Sequence, residues 1–511
     1  MISRENLPQG WVRARLGDVV ESCREMVDPT SVSDVPYIGL EHIEKDRGTL
    51  IGRGSSNEVR STKARFNAGD VLYGKLRPYL NKVCIPDFDG VCSTDLLVLR
   101  PLEGIPSRFL LYRLLNSDFV EFASSNVSGV QHPRVDFRTA ASFPVLIPPL
   151  PEQHRIVAKI EELFSELDAG VAALETAKKQ LARYRQSVLK AAVEGKLTAA
   201  WRKQHAKDIE PASELLKRIL KERREKWEAE QLAQYEAKGR KPPKNWQAKY
   251  KEPEPPDTSD LPELPEGWVW TRISQLGDVQ LGRQRSPKHH SGTHMRPYLR
   301  VANVFEDRID TADVKEMNFT PSEFKTYKLA YGDILLNEGQ SLELVGRPAM
   351  YRNEVEGACF QNTLVRFRTY DGLDPRLALL VFRAYFHTGR FQKIASWTTS
   401  IAHLGAGRFA ELEFPLPPLA EQDVIVAEVE RLLSVADEVE QTILAELRRA
   451  DRLRQRILKK AFEGKLVPQD PADEPAAELL KRIREMKHIH GNGRGLRKQK
   501  TKGRAVLSLM E

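Results

Sequence analysis

Two stretches of this 511-residue chain write nearly the same lead-in to a helix: FPVLIPPLPEQHRIVAKIEELF from Phe143 and FPLPPLAEQDVIVAEVERLL from Phe414. Each runs an apolar, proline-ended strand into a double proline, then a Glu-Gln pair, then an apolar-periodic segment. From Ile156 to Ile425 the helices keep a constant shift of 269 residues. The repeat extends outward on both sides. LPQGWVRARLGDV from Leu7 returns as LPEGWVWTRISQLGDV from Leu264, and NAGDVLYGKL from Asn67 has a weaker echo in AYGDILLNEG from Ala330. RYRQSVLKAAVEGKL from Arg183 returns as RLRQRILKKAFEGKL from Arg452, and PASELLKRI from Pro211 as PAAELLKRI from Pro475. The order is globular half, long helix, short helix, and then all three again. The helices match closely while the globular halves share only scattered phrases, as one scaffold presenting two different surfaces would.

The helices carry heptads. Ile160, Leu167, Leu174, Leu181 and Val188 are spaced by seven, with Ile156, Leu163, Ala177 and Tyr184 on a companion seam. The second copy places Val429, Ala436, Ile443, Ala450 and Ile457 on one seam and Ile425, Leu432, Val439 and Leu453 on the other. Two matched narrow seams predict that the helices pair as a coiled coil; the alternative is that each packs only on its own globular half. A pseudo-two-fold repeat favours the antiparallel arrangement. Gly195 and Gly464 are placed to cap the helices in the left-handed conformation. Ile156 to Val188 spans roughly 50 Å at the helical rise. The expected fold class is therefore α+β: two globular mixed α/β domains with a pair of long helices between them. The division reads 1–149 and 261–418 as globular domains, with 150–197 and 419–466 as the long helices. Residues 198–260 form a charged helix and a proline-rich, semi-extended linker, and 467–511 a short helix and a basic, disordered tail.

No catalytic signature holds. The chain has no phosphate loop of the G-x-x-x-x-G-K-[ST] type and no G-x-G-x-x-G after a strand. The Asn/Asp-Pro-Pro-aromatic tetrapeptide of adenine methyltransferases is missing, since IPPL and LPPL lack its polar head and its aromatic end. PDFDGVCSTDLL from Pro86 lacks the lysine of a nuclease metal motif, and His289, His290 and His294 read as a polar loop without further metal ligands. Four cysteines, Cys23, Cys84, Cys92 and Cys359, show no metal or disulfide spacing. With no apolar run of membrane-spanning length and no signal-peptide core, the expectation is a cytoplasmic protein without metal, cofactor or membrane.

The net charge of +8 does not itself point to nucleic acid, because seven cations between Lys487 and Arg504 account for nearly all of it. Residues 1–149 hold 18 basic and 18 acidic side chains, but unevenly placed. Val71–Pro86 is acid-free and carries Lys75, Arg77, Tyr79, Asn81 and Lys82; Phe122–Val135 is acid-free and carries Gln131, His132 and Arg134. In the second half, Val279–Phe305 is acid-free with Arg283, Arg285, Lys288, Arg296, Arg300 and Asn303, and Pro375–Ala410 with Arg390, Lys393, Thr399, His403 and Arg408. Phosphate contacts want Arg, Lys, Ser and Thr, and base edges want Arg, Asn, Gln and His. Any one window alone reads as a solvated loop; four windows in two halves on one rigid frame shift the balance to DNA.

With LPxGW, GDVL/GDIL, the PPLPEQ/PPLAEQ lead-in and the EGKL exit each present twice and in order, the chain resembles the specificity subunit of type I restriction–modification systems. The resemblance covers nearly the whole length. It implies two target-recognition domains, each reading half of a split double-stranded DNA site, on an antiparallel pair of helices that act as ruler and docking surface. A spacer of roughly 50 Å is about one and a half turns of B-DNA. It implies a non-catalytic chain that docks two copies of an adenine methyltransferase subunit, which holds S-adenosylmethionine, and through them a nuclease subunit that uses ATP and Mg. Because the halves differ, the implied target is asymmetric. The competing expectations are a coiled-coil scaffold with two protein-binding domains, and a stand-alone metal-dependent endonuclease.

Overall fold

The computed structural model of the chain describes residues 7–29, 34–398 and 400–487. It divides into two compact units that are not linear halves: 1–175 with 444–511, and 176–443. The basic tail beyond 487 lies outside the described residues.

The two units repeat one plan. In the first, an antiparallel sheet orders Val20–Cys23, Leu96–Pro101, Val71–Gly74 and Val83–Cys84. In the second, the same order is Gly277–Leu281, Leu364–Thr369, Ile334–Asn337 and Pro348–Met350. The third strand of each is wholly buried, VLYG in one and ILLN in the other, as a strand covered on both faces must be. A short antiparallel pair, Val12–Arg15 with Pro144–Ile147 and Val269–Arg272 with Glu413–Leu416, ties the beginning of each globular part to its end. That pair delivers the chain into the two long helices, Leu150–Val193 and Leu419–Phe462, each 44 residues and about 66 Å long.

The repeated phrases are the joints of this plan. In each GD turn the glycine takes a positive φ, +86° at Gly69 and +89° at Gly332. The following aspartate caps its own turn and accepts both arms of an arginine from the neighbouring strand: Arg100 on Asp70 at 2.8 Å, Arg368 on Asp333 at 2.6 Å. The tryptophan of LPxGW donates to the glutamate of the Glu-Gln pair, Trp11 Nε1 to Glu152 at 3.0 Å and Trp268 Nε1 to Glu421 at 2.8 Å. The adjoining glutamine donates back to the first proline carbonyl, Gln153 to Pro148 and Gln422 to Pro417.

The long helices pair antiparallel, and each unit takes the start of its own helix and the end of the other copy's. Ile156, Ile160 and Phe164 share the first core with Ile457, Leu458, Ala461 and Phe462. Val188, Leu189 and Ala192 share the second with Ile425, Val426 and Val429. Each large apolar side chain so buried contributes roughly 1.5–3 kcal/mol, so the borrowed segment is part of the core. The exits are borrowed too. Gly195 (φ +64°) lies where a Cβ would strike Pro265 and Trp268, and Gly464 (φ +68°) where it would strike Pro8. The short helices follow: Ala212 N–H donates to Gly267 O at 2.8 Å, and Ala476 N–H to Gly10 O at 2.9 Å.

Two ion pairs related by the 269-residue shift fix this register. Arg185 reaches Asp437 and Glu440 at 2.6 and 2.7 Å, and Arg454 reaches Asp168. Arg454 is buried and lies 4.1 Å above the Phe164 ring. Arg454→Ala removes the ion pair and the cation–π stack together, and is expected to cost about 2–4 kcal/mol. Arg454→Met, which keeps the stem on Phe164, should recover part of that. Urea unfolding of the two variants checks this; an unaltered transition for Arg454→Ala would show that apolar packing alone sets the register.

The heptad expectation is corrected on one seam. Val429, Ala436, Ile443, Ala450 and Ile457 are buried, but Tyr184, Val439 and Leu453 on the companion seam are 41, 43 and 44% exposed. Two helices bury one stripe each against one another; the second is covered only where a globular part reaches it. The expected charged helix between the repeats is Ala212–Ala237, with Ala212, Leu215 and Ile219 buried, and the residues just after it pack on that helix. Trp246 stacks on Trp227, and Arg223 donates to the Tyr250 hydroxyl at 2.7 Å.

Candidate nucleic-acid interface

At one end of each four-stranded sheet the third strand runs out into a loop, and a returning hairpin is pinned on it by an equivalent bond. Val135 N–H donates to Lys75 O at 3.1 Å, and Leu404 N–H to Glu338 O at 2.8 Å. Two of the acid-free windows meet here in the first unit. Arg77 sits at φ +54° and donates its N–H to Pro133 O at 2.7 Å, while Ser128 and Arg134 exchange backbone bonds of 2.8 and 2.9 Å. Arg77, Tyr79, Gln131 and His132 are exposed on the resulting surface, with Val130 at 99% between the hairpin arms. Lys75 is half-buried beside them.

The rest of the first set serves the fold. Asn81 is buried and donates to Asp46 at 3.0 Å and to Leu115 O at 3.2 Å, Lys82 gives its ammonium to Leu40 O at 2.7 Å, and Arg134 pairs with Asp95 at 3.0 Å. Asn81, buried, is corrected to a structural role; Lys82 and Arg134 each give part of their donor capacity to the fold, Arg134 with its side chain 43% exposed.

In the second unit the windows converge through backbone bonds: Asn362 N–H to Arg283 O, Glu338 N–H to Thr363 O, and Leu404 N–H to Glu338 O. Arg285, Arg296 and Lys393 are exposed there. Arg285 donates to His290 at 3.1 Å, and Arg296 lies 4.5 Å over the Phe324 ring. Arg283 and Asn303, which are buried, are corrected to structural roles, and three further candidates are half-buried with partners in the same unit. Arg283 is buried on Glu323 at 2.9 Å and over Phe319; Asn303 is buried and holds the carbonyls of Asp310 and Asp313. Arg300 pairs with Asp313, Arg390 with Glu413, and His403 with Glu338 at 3.1 Å. Thr399 and the side chain of Lys288 lie outside the described residues. The sequence reading missed Trp397, which is 58% exposed on the hairpin; it stood within the acid-free window but carries no charge.

Both surfaces offer exposed cations and an exposed aromatic ring, and the first adds Gln131 and His132, groups that suit a phosphate backbone and base edges. Among the described residues no group of three or more His, Cys, Asp or Glu could hold a metal ion, and no helix is long and apolar enough to cross a membrane. Between the helices of the first unit lies a groove of about 820 Å³ lined by Leu163, Leu167, Leu453, Ile457 and Leu466, with Lys459, Lys460 and Glu463 at its rim.

Comparison with known proteins finds the same duplication. Residues 8–179 and 265–449 each match the family model described as the type I restriction modification DNA specificity domain. The chain is 33% identical over 223 residues to the EcoDI specificity subunit of Escherichia coli, covering 43% of this chain and half of that protein. It is 26% identical over 531 residues to the EcoKI specificity subunit of Escherichia coli K12, covering 98% of this chain and all of that one. A chain solved in work on complex assembly and conformational transition of the type I R-M system superposes with a TM-score of 0.61 at 20% identity, over 90% of this chain and 99% of that one.

Proposed function

Because the chain belongs to the type I restriction–modification DNA specificity family, we propose that it reads a split, asymmetric double-stranded DNA site, one half-site per compact unit, and holds catalytic partners without itself catalysing a reaction. One observation carries this reading. The same hairpin joint occurs in both units, yet the exposed side chains on and beside it differ: Arg77, Tyr79, Gln131 and His132 in one, Lys393 and Trp397 in the other, whose Arg285 and Arg296 are exposed on a separate loop and strand. A shared frame with unlike contact sets is what a two-part, non-palindromic target requires.

The partners follow from the same reading. Two adenine methyltransferase subunits carrying S-adenosylmethionine dock on the chain, with an ATP- and Mg-dependent restriction subunit beyond them. The open stripe at Leu453 and the apolar groove around it supply a surface that suits an amphipathic helix of the methyltransferase. The first globular half is neutral overall, so its own long-range attraction for DNA is small and the assembly supplies affinity.

Adenine methylation mapped by single-molecule sequencing, in the host with and without this gene, tests the proposal. Loss of one split motif with a fixed gap is the expected result. An unchanged map, with the methyltransferase expressed, would favour a protein-binding scaffold.

A further inference from the structure

The hairpin of the second unit carries a group that hydrogen-bond readout does not use. Trp397 occupies the position of Ser128 under the 269-residue shift, and its indole is 58% exposed. It is held out by a frame rather than by a loose loop. Ser396–Trp397 pairs with Ala402–His403, which pairs in turn with Gly339–Gln340 at the end of the third strand. Arg408 braces the hairpin from beneath, donating to Ser396 Oγ at 2.9 Å and to His403 O at 2.8 Å, and His403 is tied to Glu338. Ile401, also exposed, extends the apolar tip, while Lys393 and Arg408 are exposed nearby. The acid-free run from Pro375 to Ala410 places no carboxylate on the hairpin itself.

An exposed aromatic side chain on a braced strand, with cations close in sequence, is suited to a polyanion whose interior is flat and apolar. We propose that Trp397 enters the duplex at the half-site read by the second unit and stacks on one base step, while Lys393 meets a flanking phosphate and Arg408 holds the hairpin in place. Inserted apolar side chains partly unstack a step and kink the duplex. An indole reads no donor–acceptor pattern in doing so; it selects steps that unstack cheaply, such as pyrimidine–purine steps. This inference rests on the DNA reading above. It adds that the second unit uses deformability as well as polar contacts.

The test uses the full chain with its methyltransferase subunit and duplexes carrying the site mapped by methylation. 2-Aminopurine replaces, one at a time, each base of the second unit's half-site that permits it, other than the methylated adenine. Wild type should raise the fluorescence at one step. Trp397→Ala should abolish that rise and weaken binding on the order of 10- to 100-fold, the range expected for losing one stacked base. Trp397→Phe should keep most of both. Binding by wild type with no fluorescence change at any step, or undiminished binding by Trp397→Ala, overturns the inference and leaves the DNA reading standing. Failure of wild type to prefer the mapped duplex overturns both. Loss of methyltransferase binding in Trp397→Ala would assign the indole to a protein interface instead.

Discussion

A chain ending at Lys251 is expected to elute as a dimer and, with the methyltransferase, to modify a palindrome in place of the asymmetric site. Such a chain keeps the first globular part and the start of its helix but loses 444–487, which supplies Ile457, Leu458, Phe462, Leu479 and Ile483 to that core. It retains 176–219, which plays the equivalent part in the second unit through Val188, Leu189, Ala192, Leu215 and Ile219. The joints are interchangeable in kind. Leu479 packs where a Cβ on Gly104 would stand, as Leu215 does at Gly372. A second copy can therefore cover the first, and the reverse. Without that cover several large apolar side chains meet water, at roughly 1.5–3 kcal/mol each. Light scattering on the eluted fragment decides the matter; a well-folded monomer would show that the borrowed helix is dispensable.

The second large effect separates two glutamates that the sequence writes alike. Glu421 is fully buried and satisfied: it accepts from Trp268 at 2.8 Å, from Thr198 Oγ1 at 2.6 Å and from Arg202 at 2.8 Å. Glu152 accepts from Trp11 alone, and its other oxygen is buried without a hydrogen-bond partner. Val467 stands where Thr198 stands, and Arg155 is turned to Asp473 at 2.7 Å. Burial accordingly raises the Glu152 pKa, with the Trp11 bond opposing it only in part. Glu421→Ala strands Arg202 and should cost about 3–5 kcal/mol. Glu152→Gln should be neutral or stabilising at neutral pH. The sign follows from linkage. A carboxyl whose folded pKa lies above its unfolded one adds stability that is full below the unfolded value and lost as pH rises through the folded value. Wild type should therefore lose stability relative to Glu152→Gln between the ordinary carboxylate range and neutrality. Parallel pH profiles for the two proteins would point to a hidden partner for Glu152.

What could be read in advance divides along a physical line. The frame was legible because its joints demand particular residues: glycines at positive φ at Gly69, Gly195, Gly332 and Gly464, and a tryptophan to meet a buried glutamate. Such demands leave the same letters in both copies. The candidate surface was only half legible, because a window free of acids in sequence is not free of them in space. Arg283 finds Glu323, Arg300 finds Asp313, Arg390 finds Glu413 and Arg134 finds Asp95, each from outside its own window. Exposure, rather than charge, separates Arg77 and Lys393 from these, and exposure is set by strand pairing that the windows do not encode. Which copy's helix end completes which core was likewise absent from the heptads, whose spacing is the same in either arrangement.

The meeting of Gly464 with Pro8, and of Gly195 with Pro265, has a consequence for the gene. Each frame segment is answered by a segment encoded in the other copy. A bulkier residue accepted at one glycine must be matched by a change in the other repeat, a double step that single substitutions seldom complete. The two frames are thereby held to a common text. The globular inserts answer only to their own unit and to whatever they touch outside it, so they can diverge. An insert exchanged between these fixed borders would arrive in a chain already able to seat it, which makes the insert the replaceable part and the frame the inherited one.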